Sequence, residues 1–140
     1  MAAKIDPAEV PAALAPVMPW LRQHLHAQGL LEQQSNLGEP VERPGRSLLA
    51  RATRLSVRML AQEAPGHSVE IRVPPFAAVQ AIAGPRHTRG TPANVVELTP
   101  EIWLGLATGL LQFEKVQQLI DVSGTRAPEI ARHLPVAKMA

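Results

Sequence analysis

The chain has no cysteine and no tyrosine, and its 140 residues include only two tryptophans and two phenylalanines. Without cysteine there is no disulfide framework, no thiolate metal site and no cysteine nucleophile. With aromatics at 3% the core must be aliphatic, which makes Trp20, Phe76, Trp103 and Phe113 informative positions. No stretch approaches the roughly 18 consecutive apolar residues of a spanning helix. Asp6 and Pro7 arrive before any apolar run of leader length, so the expectation is a soluble, cytoplasmic protein.

Charge of one sign is also scarce. Fourteen Lys and Arg against twelve Asp and Glu leave a formal charge of +2. The pI of 9.7 reflects the absence of side chains titrating between pH 7 and 10, since Cys and Tyr are missing, and does not signal a strong field. There is no dense basic stripe with interleaved aromatics, which argues against a nucleic-acid partner.

What is present is apolar material at 46% of a chain the length of one domain. Asp6-Pro7-Ala8-Glu9 reads as a helix start, with Asp as cap, Pro at the first position and an acid three residues on. Val10, Leu14, Val17, Leu21 and Leu25 continue a helical period that prolines at 11, 16 and 19 interrupt, so two short helices bent near Pro16 are predicted. Residues 29–46 lack an apolar period and read as a mobile connection, either a plain linker or a cover over a cleft. Ser47 is expected to cap a helix over 48–64 with Leu48, Ala52, Leu55 and Met59 inward. Arg51, Arg54 and Arg58 line another flank of it, as a solvated face or as a surface for a partner or anionic lipid.

The period then changes to two. Val69, Ile71 and Val73 alternate with Glu70 and Arg72, predicting a half-buried strand over 68–73. Residues 76–83, apolar on both faces apart from Gln80, read as a more central strand. Asn94 to Leu98 gives a third. Thr99-Pro100-Glu101 opens a helix with Ile102, Trp103, Leu106, Ala107 and Leu110 on its apolar face, and Gly105 and Gly109 form a smooth stripe suited to close backbone approach. A short helix near 113–118, a strand over 119–123 and a final helix over 125–134 complete the reading. The chain divides into N-terminal helices with a mobile connection (1–46) and a main unit (47–140), a single domain overall.

Catalytic patterns are thin. His24 and His26 cannot share a helix face, and His67 and His133 are isolated, so no metal spacing emerges. No serine sits in a nucleophile-elbow glycine pattern, and no phosphate-cradling loop exists. No catalytic residue, metal or cofactor is therefore assigned, and the chain reads as non-enzymatic. The one dense polar constellation is Arg86-His87-Thr88-Arg89-Gly90-Thr91-Pro92. Arg86, His87 and Arg89 could hold a carboxylate or phosphate, or simply form a solvated hairpin loop.

The segment from Asn94 to Gly109, in which a strand enters a helix ending in Thr108-Gly109, resembles the sterol carrier protein type two family. Ile120 to Gly124 resembles that family's closing strand and glycine. Pro74 to Gln80 with Gly84 to Pro92 is similar to its bacterial, largely actinobacterial, orthologue group. The resemblance covers roughly residues 47–135 and its motifs are structural. It implies an α/β (α+β) domain, a small, mostly antiparallel sheet of four to five strands covered by helices, that encloses a hydrophobic cavity. The implied function is binding and transport of a lipid, sterol, fatty acid or acyl-CoA. Phe76, Val79, Trp103, Leu106, Leu110, Phe113 and Ile130 are then the expected cavity residues, with Arg86, His87 and Arg89 at the headgroup. Membrane contact is expected to be at most peripheral, and a homodimer is a further expectation. The alternatives are an interaction module that has lost its ligand, docking through the glycine stripe or the arginine flank, or an accessory domain like that of mycothiol-dependent isomerases. Only four strands are countable, and residues 1–46 match no lipid-binding motif.

Overall fold

The structure is a computed structural model that describes residues 3–32, 38–85 and 94–139. Asp6 accepts the Ala8 N–H through Oδ1 at 3.0 Å and so closes a turn ahead of α1 (Glu9–Leu14), whose cap position is Ala8 and carries no side-chain cap, so Asp6 does not serve as the helix cap itself. Pro16 and Pro19 force a 3₁₀ turn over Ala15–Val17 before α2 (Met18–Ala27), giving the expected bend. Val10, Leu14, Val17, Leu21 and Leu25 all enter the common core.

The long helix α3 runs over Arg46–Glu63, beginning after Gly45 without a side-chain cap, so Ser47 does not serve as one. Its inward stripe is also rotated from the expected one. Leu49, Ala52, Thr53, Ser56, Met59 and Leu60 are buried, whereas Leu48 is 44% exposed and Leu55 only half-buried. Hydropathy misplaced the stripe because two hydroxyl residues lie on it. Ser56 donates to the Ala52 carbonyl at 2.7 Å, the back-bond that lets such a side chain face inward.

Four strands follow among the described residues: β1 (Val69–Val73), β2 (Ala77–Ala81), β3 (Val95–Glu97) and, after the next helix, β4 (Asp121–Ser123). The sheet order is β2-β1-β3-β4, with β1 antiparallel to β2, parallel to β3, and β3 antiparallel to β4. This is an α+β fold with a mixed, mainly antiparallel sheet. The expectation that 76–83 forms a central strand is corrected, since β2 is an edge. Its apolar character comes mostly from alanines, whose small side chains leave Ala78 and Gln80 exposed rather than covered on both faces. The chain leaves β2 at Ile82, which has φ 71. That conformation is strained for a β-branched residue.

Helix α4 (Pro100–Thr108) starts where Thr99 accepts the Ile102 N–H through its hydroxyl at 3.3 Å. Every residue from Ile102 to Thr108 is buried, so α4 is a central helix, not a one-faced one. The predicted glycine stripe is divided between two jobs. Gly105 faces the Leu111 and Leu25 side chains, and Gly109, at φ 84, ends the helix in the left-handed conformation. Gly105 is buried and offers no docking surface. Two 3₁₀ turns, Phe113–Lys115 and Gln117–Leu119, replace the short helix expected near 113–118, and a 3₁₀ run over Ala127–His133 replaces the final helix. The chain then folds back so that Val136, Ala137 and Met139 donate to the last carbonyls of α4, Ala107 and Thr108.

Candidate functional site

The site candidate lies where α3 runs beside the outer edge of β2. The two are fastened at both ends. Arg54 Nε donates to the Phe76 carbonyl at 2.9 Å, and the Ile82 N–H donates to the Ala64 carbonyl at 2.6 Å. Between these pins the edge is open, and its hydrogen-bonding groups can be assigned by alternation. Glu70 and Arg72 bond towards β3, through Glu70 N–H to Asn94 and Leu98 N–H to the Arg72 carbonyl. Val69, Ile71 and Val73 therefore pair with Ala81, Val79 and Ala77, and the N–H and C=O of Ala78 and Gln80 point outward.

An open groove of about 730 Å³ occupies this space. Its α3 wall is Arg54, Arg58, Ala61 and Gln62, residues whose spacing puts them on one helix face. Phe76 to Gln80 form the opposite wall. One end is closed by the N-terminal segment, which Gln62 clasps by its amide. Gln62 Oε1 accepts the Ile5 N–H at 2.8 Å and Gln62 Nε2 donates to the Ile5 carbonyl at 2.9 Å. Lys4, Arg54, Arg58 and His67 line the groove, and no acid is among its described lining residues. His67 Nδ1 lies 2.7 Å from Gln80 Oε1. A second depression of about 420 Å³ adjoins it, sharing Arg54 and Arg58 and adding Arg46 and Arg51. Arg46 stacks over the Phe76 ring at 5.5 Å.

The residues expected to line one apolar cavity are dispersed. Phe76 and Val79 meet in the groove. Trp103 and Ile130 are fully buried in the core. Leu106 and Phe113 border a depression of about 310 Å³ beside Pro135, and Leu110 borders another of about 390 Å³ beside Leu31. Arg86, His87 and Arg89 lie outside the described residues. Sequence reasoning missed Lys4, Ile5, Ala61 and Gln62. The spacing of Ala61 and Gln62 from Arg54 and Arg58 was a usable signal for the helical wall, but the long-range clasp of Ile5 had none.

Chemically, the groove combines apolar contact, a cationic rim and backbone donors and acceptors of Ala78 and Gln80 that have no partner among the described residues. No group of three or more His, Asp or Glu suited to a metal ion occurs among the described residues. No helix there is long and apolar enough to cross a membrane.

A comparison with curated proteins finds no match. A family model described as Bacterial SCP ortholog matches residues 45–136. That span runs from α3 through the sheet and α4 to the returning C-terminal segment, well over half of the chain, and the protein therefore belongs to this bacterial sterol-carrier-protein family.

Proposed function

We propose that the protein binds an apolar small molecule of the lipid class in the groove between α3 and β2 and carries it without chemical change. The observation that supports this is the division of the lining. Ile5, Ala61, Phe76, Ala77 and Val79 provide the apolar wall, while cationic groups are supplied by Lys4, Arg54 and Arg58. Its volume is in the range of small-molecule sites, roughly 300–1,000 Å³. An amphiphile such as a fatty acid or acyl-CoA uses both features. The chain packs on the aliphatic wall, and the carboxylate or phosphate meets guanidinium groups and the outward N–H groups of the β2 edge. Phe76 and Val79 are the proposed tail contacts; Arg86, His87 and Arg89, which follow β2 in sequence, are proposed as a second headgroup contact.

Titration with a fluorescent fatty acid, together with native mass spectrometry of the purified protein, tests the reading. Saturable binding is expected, and Ala61→Trp, which fills the groove from its helical wall, should abolish it while circular dichroism stays unchanged. A folded Ala61→Trp protein that binds as well as the parent, or a parent that binds no lipid, would overturn the proposal.

A further inference from the structure

The two edges of the sheet are built differently. At one edge β4 has three residues and begins with Asp121, the short and charged form in which an edge resists a further strand. At the other, β2 keeps an unbroken five-residue register with β1, from Val73↔Ala77 to Val69↔Ala81, and carries no proline, no charge and no bulge. Ala78 and Gln80 are exposed, and their outward N–H and C=O groups have no partner among the described residues. From Ala77 to Ala81 the edge runs for roughly 13 Å at about 3.3 Å per residue, room for about four residues of extended chain. What flanks the edge decides which strand can join it. Arg54 and Arg58 stand along it, Lys4 lies at its clasped end and His67 meets Gln80, with no acid among the described lining residues. Pairing of this edge with its own copy would set these cations against one another, whereas an acidic strand is complementary to them.

We infer that the β2 edge takes an extended acidic segment of a partner protein as an added strand. The main chain of that segment bonds to the N–H and C=O of Ala78 and Gln80 and continues the sheet beyond β2. Its side chains alternate between the two faces. One set shares the face of Ala77 and Val79 and lies on the α3 side, where Arg54 and Arg58 call for Asp or Glu at every second residue. The other set lies over Gln80 and His67 on the outer face and takes any residue that favours a strand. A helical partner would leave the open edge unused. Strand addition and lipid carriage compete for the space between α3 and β2, and neither reading requires the other.

Fluorescence anisotropy of a labelled peptide of alternating Glu and Val, titrated with the full chain, is the test. Saturable binding that weakens as salt is raised is expected, and a peptide of alternating Lys and Val should not bind. Backbone N-methylation of every second residue removes the donors from one side of a strand only. Methylating one set should abolish binding and methylating the other should leave it; the valine set is the sensitive one for an antiparallel strand and the glutamate set for a parallel one. Ala78→Pro deletes an outward N–H without touching the ladder to β1, a change that an edge strand tolerates. It should weaken the peptide about tenfold with circular dichroism unchanged. No peptide binding, or binding equally sensitive to both methylated sets, would overturn the inference, the second by assigning the attraction to charge alone. So would dimerisation that Ala78→Pro abolishes in a protein that ignores the peptide, which would give the edge to a second copy. A protein that binds the peptide but no fatty acid defeats the lipid reading and leaves the edge; fatty-acid uptake without peptide binding does the reverse.

Discussion

The indole N–H of Trp103 donates to the hydroxyl of Ser56 at 2.8 Å, joining α4 to α3 between two residues that are both fully buried. The same hydroxyl donates to the Ala52 carbonyl, so it serves as acceptor and donor at once. Ser56→Ala leaves the indole N–H without a partner, which should cost about 1–3 kcal/mol. Urea denaturation at unchanged m-value measures it. In a double-mutant cycle, Trp103→Phe should cost less in the Ser56→Ala background than in the parent, and strict additivity would show that the hydrogen bond contributes nothing.

One turn away, Thr53 presents the opposite case. It is fully buried, and its Oγ1 has no hydrogen-bond partner among the described residues. Thr53→Val keeps the shape and removes the unpaired hydroxyl, so it should stabilise the fold by about 1 kcal/mol. A lower denaturation midpoint would mean that the hydroxyl is satisfied in solution.

Alanine at the two glycines of α4 should separate the roles that sequence spacing had joined. At Gly105 a Cβ would stand 2.5 Å from Leu111 Cδ1 and 2.7 Å from its Cγ, with Leu25 Cδ1 at 3.1 Å. Overpacking costs about 1–3 kcal/mol and outweighs the roughly 1 kcal/mol of helix propensity that alanine returns. At Gly109 the nearest atoms are at 3.6 Å and beyond, so the penalty there comes from φ 84, at about 1 kcal/mol. Enlarging the pocket with Leu111→Ala should therefore reduce the cost of Gly105→Ala but leave that of Gly109→Ala untouched. Thermal melts of the two double mutants decide this.

Much of the fold was legible where one local rule governed the outcome. Thr99-Pro100 started α4, and alternation from Val69 to Val73 marked β1 with its three inward residues. The failures come from tertiary choices. The inward face of α3 could not be read because Thr53 and Ser56 look polar in sequence, yet one satisfies its hydroxyl against its own helix and the other simply goes in. The edge position of β2 depends on which strands pair across the sheet, and a run of alanines suits an edge as well as a centre. The candidate site was half legible. Arg54, Arg58, Phe76 and Val79 had each been singled out, but on separate grounds. Their meeting depends on α3 lying along the outer edge of β2, which no short-range pattern encodes.

The clasp between Gln62 and Ile5 gives the last prediction, because it connects the N-terminal segment to the groove. Its two hydrogen bonds, at 2.8 and 2.9 Å, imitate a backbone pairing and hold Lys4 and Ile5 at one end of the site. Ile5 is buried in the core cluster as well, so the segment has an apolar anchor besides the polar one. Gln62→Ala removes both hydrogen bonds and leaves the anchor, so the loss should be local: faster amide exchange at Ile5, with the exchange of α4 unchanged. If the groove binds an amphiphile, the same variant should bind fatty acid more weakly through faster dissociation, since the end wall is loosened but the helical and strand walls remain. Gln62→Glu keeps the acceptor for the Ile5 N–H and sets a carboxylate against the Ile5 carbonyl, and it should fall between the parent and alanine in exchange at Ile5. Unchanged exchange at Ile5 in Gln62→Ala would show that burial alone fixes the segment.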